Sequence, residues 1–254
     1  MESQSEINKK AWSYRAYEFW RKYNGVPSEV AKEMINNPQY WVRRHIEHLG
    51  DVKGKKIANL LGSNGRKAVP LAVLGAEVTI VDISEENKKY AMELANEAGV
   101  TIKYVVSDLL DLNNKDLLNY FDIAYLEGGI LHYFSDLQAF SKKIYDILNF
   151  GGRLILNDSH PVRKILQVKD NKLILEGDYF DNKLKYDNVA YKTQFPIDEH
   201  KDFPDCLLRH WTMGEIISII ASVGFIIEKL VEEPRWDSFK KIPGNYTLIA
   251  RKQN

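Results

Sequence analysis

Cysteine is almost missing from this chain: 254 residues contain one, Cys206. A single thiol excludes an internal disulfide and any metal site built from clustered cysteines, and it fits a reducing cytosol. Charge of one sign is also lacking. Thirty-five Lys and Arg offset thirty-five Asp and Glu, so no net field draws the protein to nucleic acid or to anionic lipid. There is no basic tract interleaved with aromatics of the kind that binds single-stranded nucleic acid; Arg163-Lys164 is only a short pair. No apolar run approaches the roughly 18 residues of a membrane span. The start, Glu2-Ser3-Gln4, is polar and has no apolar signal region. Internal repeats and low-complexity stretches are absent. The expectation is a cytoplasmic protein with a small-molecule partner, no nucleic acid and no membrane; composition leaves the oligomeric state open.

What is present is ordinary for a globular chain: 44% hydrophobic and 28% charged residues, at a length that buries a real core. The first fifty residues read as helical. Trp12, Ala16, Phe19, Trp20 and Tyr23 recur at spacings of three and four, which predicts one helix face. Ser28 is the expected N-cap of a second helix, and Tyr40 to Leu49 reads as a third. Then the period changes. Apolar runs at 55–61, 77–81, 101–106, 121–126 and 153–157 read as strands, separated by helices at 68–74, 84–99 and 137–148. This alternation predicts a parallel sheet with helices on both faces. Residues 159–210 break the rhythm and read as an insertion with a hairpin. A helix capped by Thr212 and Glu215, a sixth strand from Phe225 and a seventh at 246–250 close the chain.

The informative unit is the strand, turn and helix around Gly62-Ser63-Asn64-Gly65. In open α/β sheets, ligands bind at the carboxyl ends of the strands, where strand order reverses. Asp82 closes the second strand twenty residues after Gly62, the spacing of an acid that binds ribose hydroxyls. A dinucleotide needs G-x-G-x-x-G; the run here is G-S-N-G-R-K. A sulfonium nucleoside carries no pyrophosphate and needs only a flat turn. Two glycines after a strand can also simply make a turn.

Later stretches decide more. IANLLGSNGRKAVPLA, VTIVDIS, VVSDLLDL, FDIAYLEGGILHYF and ILNFGGRLIL follow in order over about residues 55–157, and SVGFIIEKL and NYTLIARK close the chain. In these the sequence resembles class I S-adenosylmethionine-dependent methyltransferases, of the group that includes the ubiquinone/menaquinone-biosynthesis type. The resemblance implies an α/β, Rossmann-like, seven-stranded, mostly parallel sheet with an antiparallel last strand. It implies a helical lid over residues 1–50, a methyltransferase domain at 51–254 and a substrate-pocket insertion at 159–210. The cofactor would be S-adenosyl-L-methionine, leaving S-adenosyl-L-homocysteine after transfer to a small organic acceptor through oxygen, nitrogen or carbon.

Carried over by residue, Gly62, Ser63, Asn64 and Gly65 would lie against the methionine and ribose. Asp82 would bind the ribose hydroxyls, with Ile83 on adenine. Ser107 and Asp108 would meet the adenine amine, with Leu109 on the ring, and Glu127 and Gly128 would face the methionine end. His160 and His132 are the candidate bases, and Tyr14, Arg15, Tyr191 and Arg209 the candidate acceptor contacts. Glu127, Asn157 and Asp158 could imitate a magnesium-binding oxygen set, but their order does not match one, so no metal is expected. The chain departs from the family at Asn59, usually acidic, and at Leu61 and Ser63, usually glycine. Those departures keep a non-catalytic binding module open, and a nicotinamide-dependent oxidoreductase is the other alternative.

Overall fold

The computed structural model describes residues 2–253 apart from 114, 116, 171 and 236–238. Helix α1 (Gln4–Ser13) starts at a capping box, Ser3 accepting from the Glu6 N–H while Glu6 accepts from the Ser3 N–H. Helix α2 (Ala16–Asn24) does not continue it. Tyr14 is extended and Arg15 is left-handed at φ 55°, so the expected single stripe from Trp12 to Tyr23 is two helices. Tertiary contacts hold the break: the Tyr191 hydroxyl donates to the carbonyls of Ala11 (2.9 Å) and Tyr14 (2.7 Å).

Helix α3 (Pro27–Asn36) is capped by Val26, with Pro27 in the first turn where no N–H is needed; Ser28 is not its cap. The expected helix at 40–49 is two pieces, α4 (Pro38–Val42) and α5 (Ile46–Leu49). Between them His45 leaves helical geometry to turn its buried ring to the Tyr125 hydroxyl, 2.9 Å away.

The central part alternates as β1 (Lys56–Leu60), α6 (Ala68–Val73), β2 (Glu77–Asp82), α7 (Glu85–Glu97), β3 (Lys103–Val106), β4 (Phe121–Glu127), α8 (Leu137–Ile147) and β5 (Leu148–Ser159). Strand β5 starts earlier than expected and takes in Gly151 and Gly152. The insertion holds two hairpins, β6 (Leu166–Lys169) with β7 (Lys172–Leu175), and β8 (Leu184–Asn188) with β9 (Asp205–Arg209). Then come α9 (Met213–Ser222), with the expected Thr212–Glu215 capping box, β10 (Phe225–Pro234) and β11 (Pro243–Lys252).

Among the described residues, seven strands form one sheet in the order β10-β11-β5-β4-β1-β2-β3. The pairings from β5 through β3 are parallel, and β11 runs antiparallel between β5 and β10. This is the expected Rossmann-like sheet, with its order reversing between β1 and β4. Two cores cover its faces: one gathers Phe140, Ile144, Ile216 and Ile220, the other Met34, Leu71, Tyr90 and Leu94. Strands buried on both faces explain the nearly continuous apolar runs.

A third core lies off the sheet. Ala11, Ala16 and Phe19 of α1 and α2 pack with Val189, Tyr191, Phe195, Phe203, Cys206 and Leu208 of the insertion. The rings of Phe19 and Tyr191 stack at 4.8 Å. The first two helices and the insertion therefore make one cap. Asn8, 4% exposed, fastens it by accepting from the Leu207 N–H (2.7 Å) and donating to the Leu207 carbonyl (3.1 Å). Gln4 also reaches that carbonyl (2.8 Å), so an Asn8→Ala change strands mainly the Leu207 N–H. Urea unfolding of that variant should show a loss of about 1–3 kcal/mol; a loss too small to resolve would mean that water replaces the amide.

Candidate functional site

The turn after β1 is built from strained backbone. Leu61 and Ser63 adopt φ of 50° and 47°, a region that costs non-glycine residues roughly 1–2 kcal/mol each. These are the two positions where the resemblance leads one to expect glycine. The turn is held by bonds from Leu61 N to the Val81 carbonyl (2.7 Å) and from Ser63 N to Asp82 Oδ2 (3.0 Å). At Gly62 a Cβ would stand 2.6 Å from Asn59 Oδ1 and 2.8 Å from the Asn59 carbonyl oxygen, so no larger residue fits. The other carboxylate oxygen of Asp82 accepts from Ser84 N (3.0 Å) and Asn87 Nδ2 (3.1 Å), and Asn87 accepts from Trp20 Nε1 of the cap (2.7 Å).

A cavity of about 290 Å³ opens at this edge, between the carboxyl ends of β1, β2 and β4 and the cap. Gly62, Ser63, Asn64, Asp82, Ile83, Ser107, Asp108, Leu109, Glu127 and Gly128 all stand in its wall. Gly65 does not line it. Its left-handed turn (φ 77°) lies against α7, where a Cβ would meet that of Ala91 at 2.8 Å.

Neither histidine candidate is in the wall. His160 accepts from Val162 N (3.2 Å) and pairs with Glu232 (2.9 Å), which makes it a loop cap. His132 sits in the short 3₁₀ turn Leu131–Tyr133, pinned by Asp158, which accepts from the N–H groups of Ile130 and Leu131. Successive residues of such a turn point in different directions, and Tyr133, not His132, faces the cavity. Burial, and then Lys164 nearby, push the His132 imidazole down to about 3.

The four acceptor candidates also lie elsewhere. Tyr14 packs on Phe203 (4.9 Å), Arg15 pairs with Glu18 and Glu199, and Arg209 lies over Trp211 and pairs with Glu215 (3.0 Å). Tyr191 lines a second, outer groove beside Trp12 and Trp20. Wall residues that sequence reasoning missed include Ser5, Asn8, Arg66, Lys67, Tyr133 and Phe134. Arg66 and Lys67 were readable, since they directly follow the glycine turn; Asn8 had no local signal.

Asn59 Oδ1, Ser63 Oγ and Asn64 Nδ2 are buried without a hydrogen-bond partner, and all three residues stand in the wall. Unpaired buried polar atoms are costly unless a ligand satisfies them. Ile83, Leu109 and Phe134 make another stretch of the wall apolar, and the Asp82 carboxylate stands in the same wall. Acceptors and donors beside an apolar slot fit a nucleoside with a polar tail.

Glu127 and Lys67 face each other at 2.9 Å. Burial pushes the Glu127 carboxyl up, but His45, Lys67 and the Tyr125 hydroxyl together outweigh it and hold it down at about 2. Burial also lowers Lys67, opposed by Glu127. Among the described residues no group of three or more His, Cys, Asp or Glu is arranged to hold a metal ion. Asn157 is spent on the Tyr246 carbonyl and Thr247, and Asp158 on three N–H groups.

Residues 61–156 match the methyltransferase domain family. Over that stretch the chain is similar to methyltransferase domains. A protein named as a methyltransferase from Geobacillus sp. (strain WCH70) is 25% identical over 169 residues, 65% of each chain. A ubiquinone biosynthesis O-methyltransferase of Rickettsia canadensis is 25% identical over 126 residues, 50% of this chain and 52% of that one. The chain thus spans less than two thirds of the length of either curated relative. Among solved structures, an S-adenosylmethionine-dependent methyltransferase from Mesorhizobium loti superposes with a TM-score of 0.65 at 21% identity, covering 86% of this chain and all of that one. The magnesium protoporphyrin IX methyltransferase of Synechocystis PCC 6803, with bound S-adenosylhomocysteine, does so at 0.59 and 16% identity, covering 99% and 100%. These likenesses are of fold. No helix among the described residues is long and apolar enough to cross a membrane.

Two measurements probe the site without a ligand. Ser63→Gly relieves a left-handed serine and should raise the unfolding free energy by about 0.5–1 kcal/mol in urea, after the entropy that glycine adds to the unfolded chain. A decrease would show that the serine hydroxyl outweighs the backbone strain. The Glu127 carboxyl is lower in the folded state than its ordinary 4.5, so its stabilisation is present above about pH 4.5 and lost as pH falls toward 2. Other carboxylates titrate in wild type and Glu127→Gln alike. The stability difference between the two should therefore shrink by about 2–3 kcal/mol over that window; a constant difference would mean the carboxyl is not held down.

Proposed function

We propose that the protein transfers the methyl group of S-adenosylmethionine to a small organic acceptor in the cavity at the ends of β1, β2 and β4. The observation that carries this reading is the trio of unpartnered polar atoms on Asn59, Ser63 and Asn64, set in one wall with the Asp82 carboxylate and an apolar slot. In this reading Gly62, Ser63 and Asn64 hold the methionine and ribose part, and Gly65 supports the turn from behind. Asp82 Oδ2 takes a ribose hydroxyl. Ile83 and Leu109 flank the adenine, Ser107 and Asp108 meet its amine, and Glu127 and Gly128 face the methionine end. Helices α1 and α2, with residues 159–210, form the lid.

When bound, the cofactor supplies a methyl group already activated on a positively charged sulfur. The protein's part is then to position the two reactants in line and to exclude water. Trp12 and Trp20 reach the wall from the lid, and their ring faces suit a cation. Burial raises the Tyr133 hydroxyl, so at neutral pH it keeps its proton and can donate to an acceptor oxygen or nitrogen. Among the described residues no histidine stands in the wall, so the reading favours an acceptor that is already nucleophilic or that loses its proton to solvent.

Calorimetry with S-adenosylmethionine and S-adenosylhomocysteine tests the proposal: both should bind, and no heat from either at millimolar concentration ends it. Asp82→Ala removes the ribose contact and the pin on Ser63, and should weaken binding at least about tenfold; unchanged affinity removes Asp82 from the site. Reduced nicotinamide cofactors should leave the tryptophan fluorescence unchanged. Binding without transfer to any member of a broad acceptor panel would mark a module that only binds.

A further inference from the structure

A second group of polar side chains lies beside the cavity, where the insertion meets the edge of the sheet. The turn at 131–133, the end of β9, the start of α9 and the 3₁₀ turn Pro161–Ile165 after β5 come together there. Long-range bonds fix their positions. Trp211 Nε1 donates to the carbonyls of Leu131 and Phe134 (3.1 Å each), which seats the end of β9 on the turn. Asp158, near the end of β5, holds the same turn through Ile130 N and Leu131 N. The Tyr179 hydroxyl accepts from Met213 N at the head of α9 (2.9 Å).

The group is rich in donors that nothing accepts. Arg209 gives Nη2 to Glu215 (3.0 Å) and lies over the Trp211 ring, but its Nη1 is buried without a partner. His210 Nδ1 is buried and unpartnered too. Among the described residues, Lys164 Nζ and the His132 ring nitrogens make no hydrogen bond. Lys164 lies close enough to both imidazoles for its charge to oppose theirs, and Arg209 close enough to Lys164 to do the same. Burial, and then Lys164, push His210 down to about 4. Burial lowers Lys164 only to about 8, so at neutral pH the lysine is mainly charged while both rings are neutral donors. The carboxylates within reach are engaged elsewhere. Glu215 caps α9 and pairs with Arg209, Asp158 takes three N–H groups, and Asp187 accepts from Asn188 N (2.7 Å). Lys185 adds a further cation from β8.

Two cations and two imidazole N–H groups without acceptors match an oxyanion, which offers several lone pairs at once. Buried donors left unpaired are costly, and an oxyanion would satisfy them. Each of the four residues keeps part of its surface exposed, so a solute can reach it. The cavity adjoins the group. Gly129 stands in the cavity wall, and a Cβ there would meet His132 Cε1 at 3.4 Å. The Tyr133 ring, also in the wall, lies against the His132 ring with centroids 4.2 Å apart. A molecule held here by an acidic group therefore has the rest of its body beside Tyr133 and the cavity.

We infer that Lys164, Arg209, His132 and His210 receive an acidic group, a carboxylate or a phosphate, of the acceptor. This rests on the methyl-transfer reading above and narrows it to anionic acceptors. It returns Arg209 to the acceptor, outside the cavity wall, and makes His132 a neutral donor rather than a base.

The test adds inorganic phosphate or benzoate to the full chain in the presence of excess S-adenosylhomocysteine, with sodium chloride at matched ionic strength as the control. Binding is read by proton NMR from the C2 protons of the six histidines, assigned with His132→Asn and His210→Asn. The His132 and His210 signals should move with a dissociation constant of about 1–10 mM, and the other four should stay. The tighter probe identifies the acidic group. Lys164→Met should weaken that probe at least about tenfold, and Lys164→Arg should keep most of the affinity. By calorimetry both variants should bind S-adenosylhomocysteine within about twofold of wild type, which also shows that they are folded. No movement of either signal, the same movement with chloride, or full affinity in Lys164→Met overturns the acidic-group site and leaves the cofactor reading standing. Loss of S-adenosylhomocysteine binding in a folded Lys164→Met also overturns it, because the lysine then supports the cavity itself. Failure of the wild type to bind S-adenosylhomocysteine removes the cofactor reading and the acceptor assignment together.

Discussion

The Asp82 carboxylate, at the end of β2, ties four parts of the molecule to one point. It accepts from Ser63 N in the turn after β1, from Ser84 N at the start of α7 and from the Asn87 amide one turn later. Asn87 in turn accepts from the cap through Trp20. A buried carboxylate is costly unless it is hydrogen-bonded, so these donors are held where they are. The strained turn, the edge of the sheet and the cap are thereby kept in register around the cavity. This also explains how Leu61 and Ser63 can hold left-handed backbone: the bonds from Leu61 N to Val81 and from Ser63 N to Asp82 over-determine the turn.

The cap is the second constraint. Residues 1–50 read as a helical lid and residues 159–210 as a separate insertion, yet α1 and α2 share a core with the insertion around Phe19, Tyr191 and Cys206. Asn8 joins them by mimicking a strand partner of Leu207. Tyr191, expected to contact the acceptor, instead terminates α1 by taking up two of its last carbonyls. What the cap presents to the cavity is Ser5, Asn8, Trp12 and Trp20, a mixed polar and aromatic roof.

The departure at Asn59 finds a physical place in the structure. Its neutral amide ties β1 to β4 through the Tyr125 carbonyl, and the full negative charge of this corner sits two residues further along β4 at Glu127. Glu127 keeps that charge because Lys67, Tyr125 and His45 surround it. The corner therefore retains a carboxylate, supplied by the neighbouring strand and balanced by a cation that follows the glycine turn.

The strand–helix alternation, the sheet class, the Thr212–Glu215 box and ten wall residues at strand ends were readable in the amino-acid order. Each depends on neighbours within a few positions: apolar period, side-chain caps at i+3, and the rule that strand ends face the ligand edge. The break at Arg15, the splitting of 40–49 around His45 and the choice of Tyr133 over His132 were not readable. Each is settled by a partner far along the chain: Tyr191 for α1, Tyr125 for His45, Asp158 for the turn at 131–133. Local propensity differs by only about 1 kcal/mol between such alternatives, while one buried, charge-assisted or multiply bonded contact outweighs it. Short-range chemistry wrote the scaffold and the position of its cavity edge; long-range packing chose which side chains look into it.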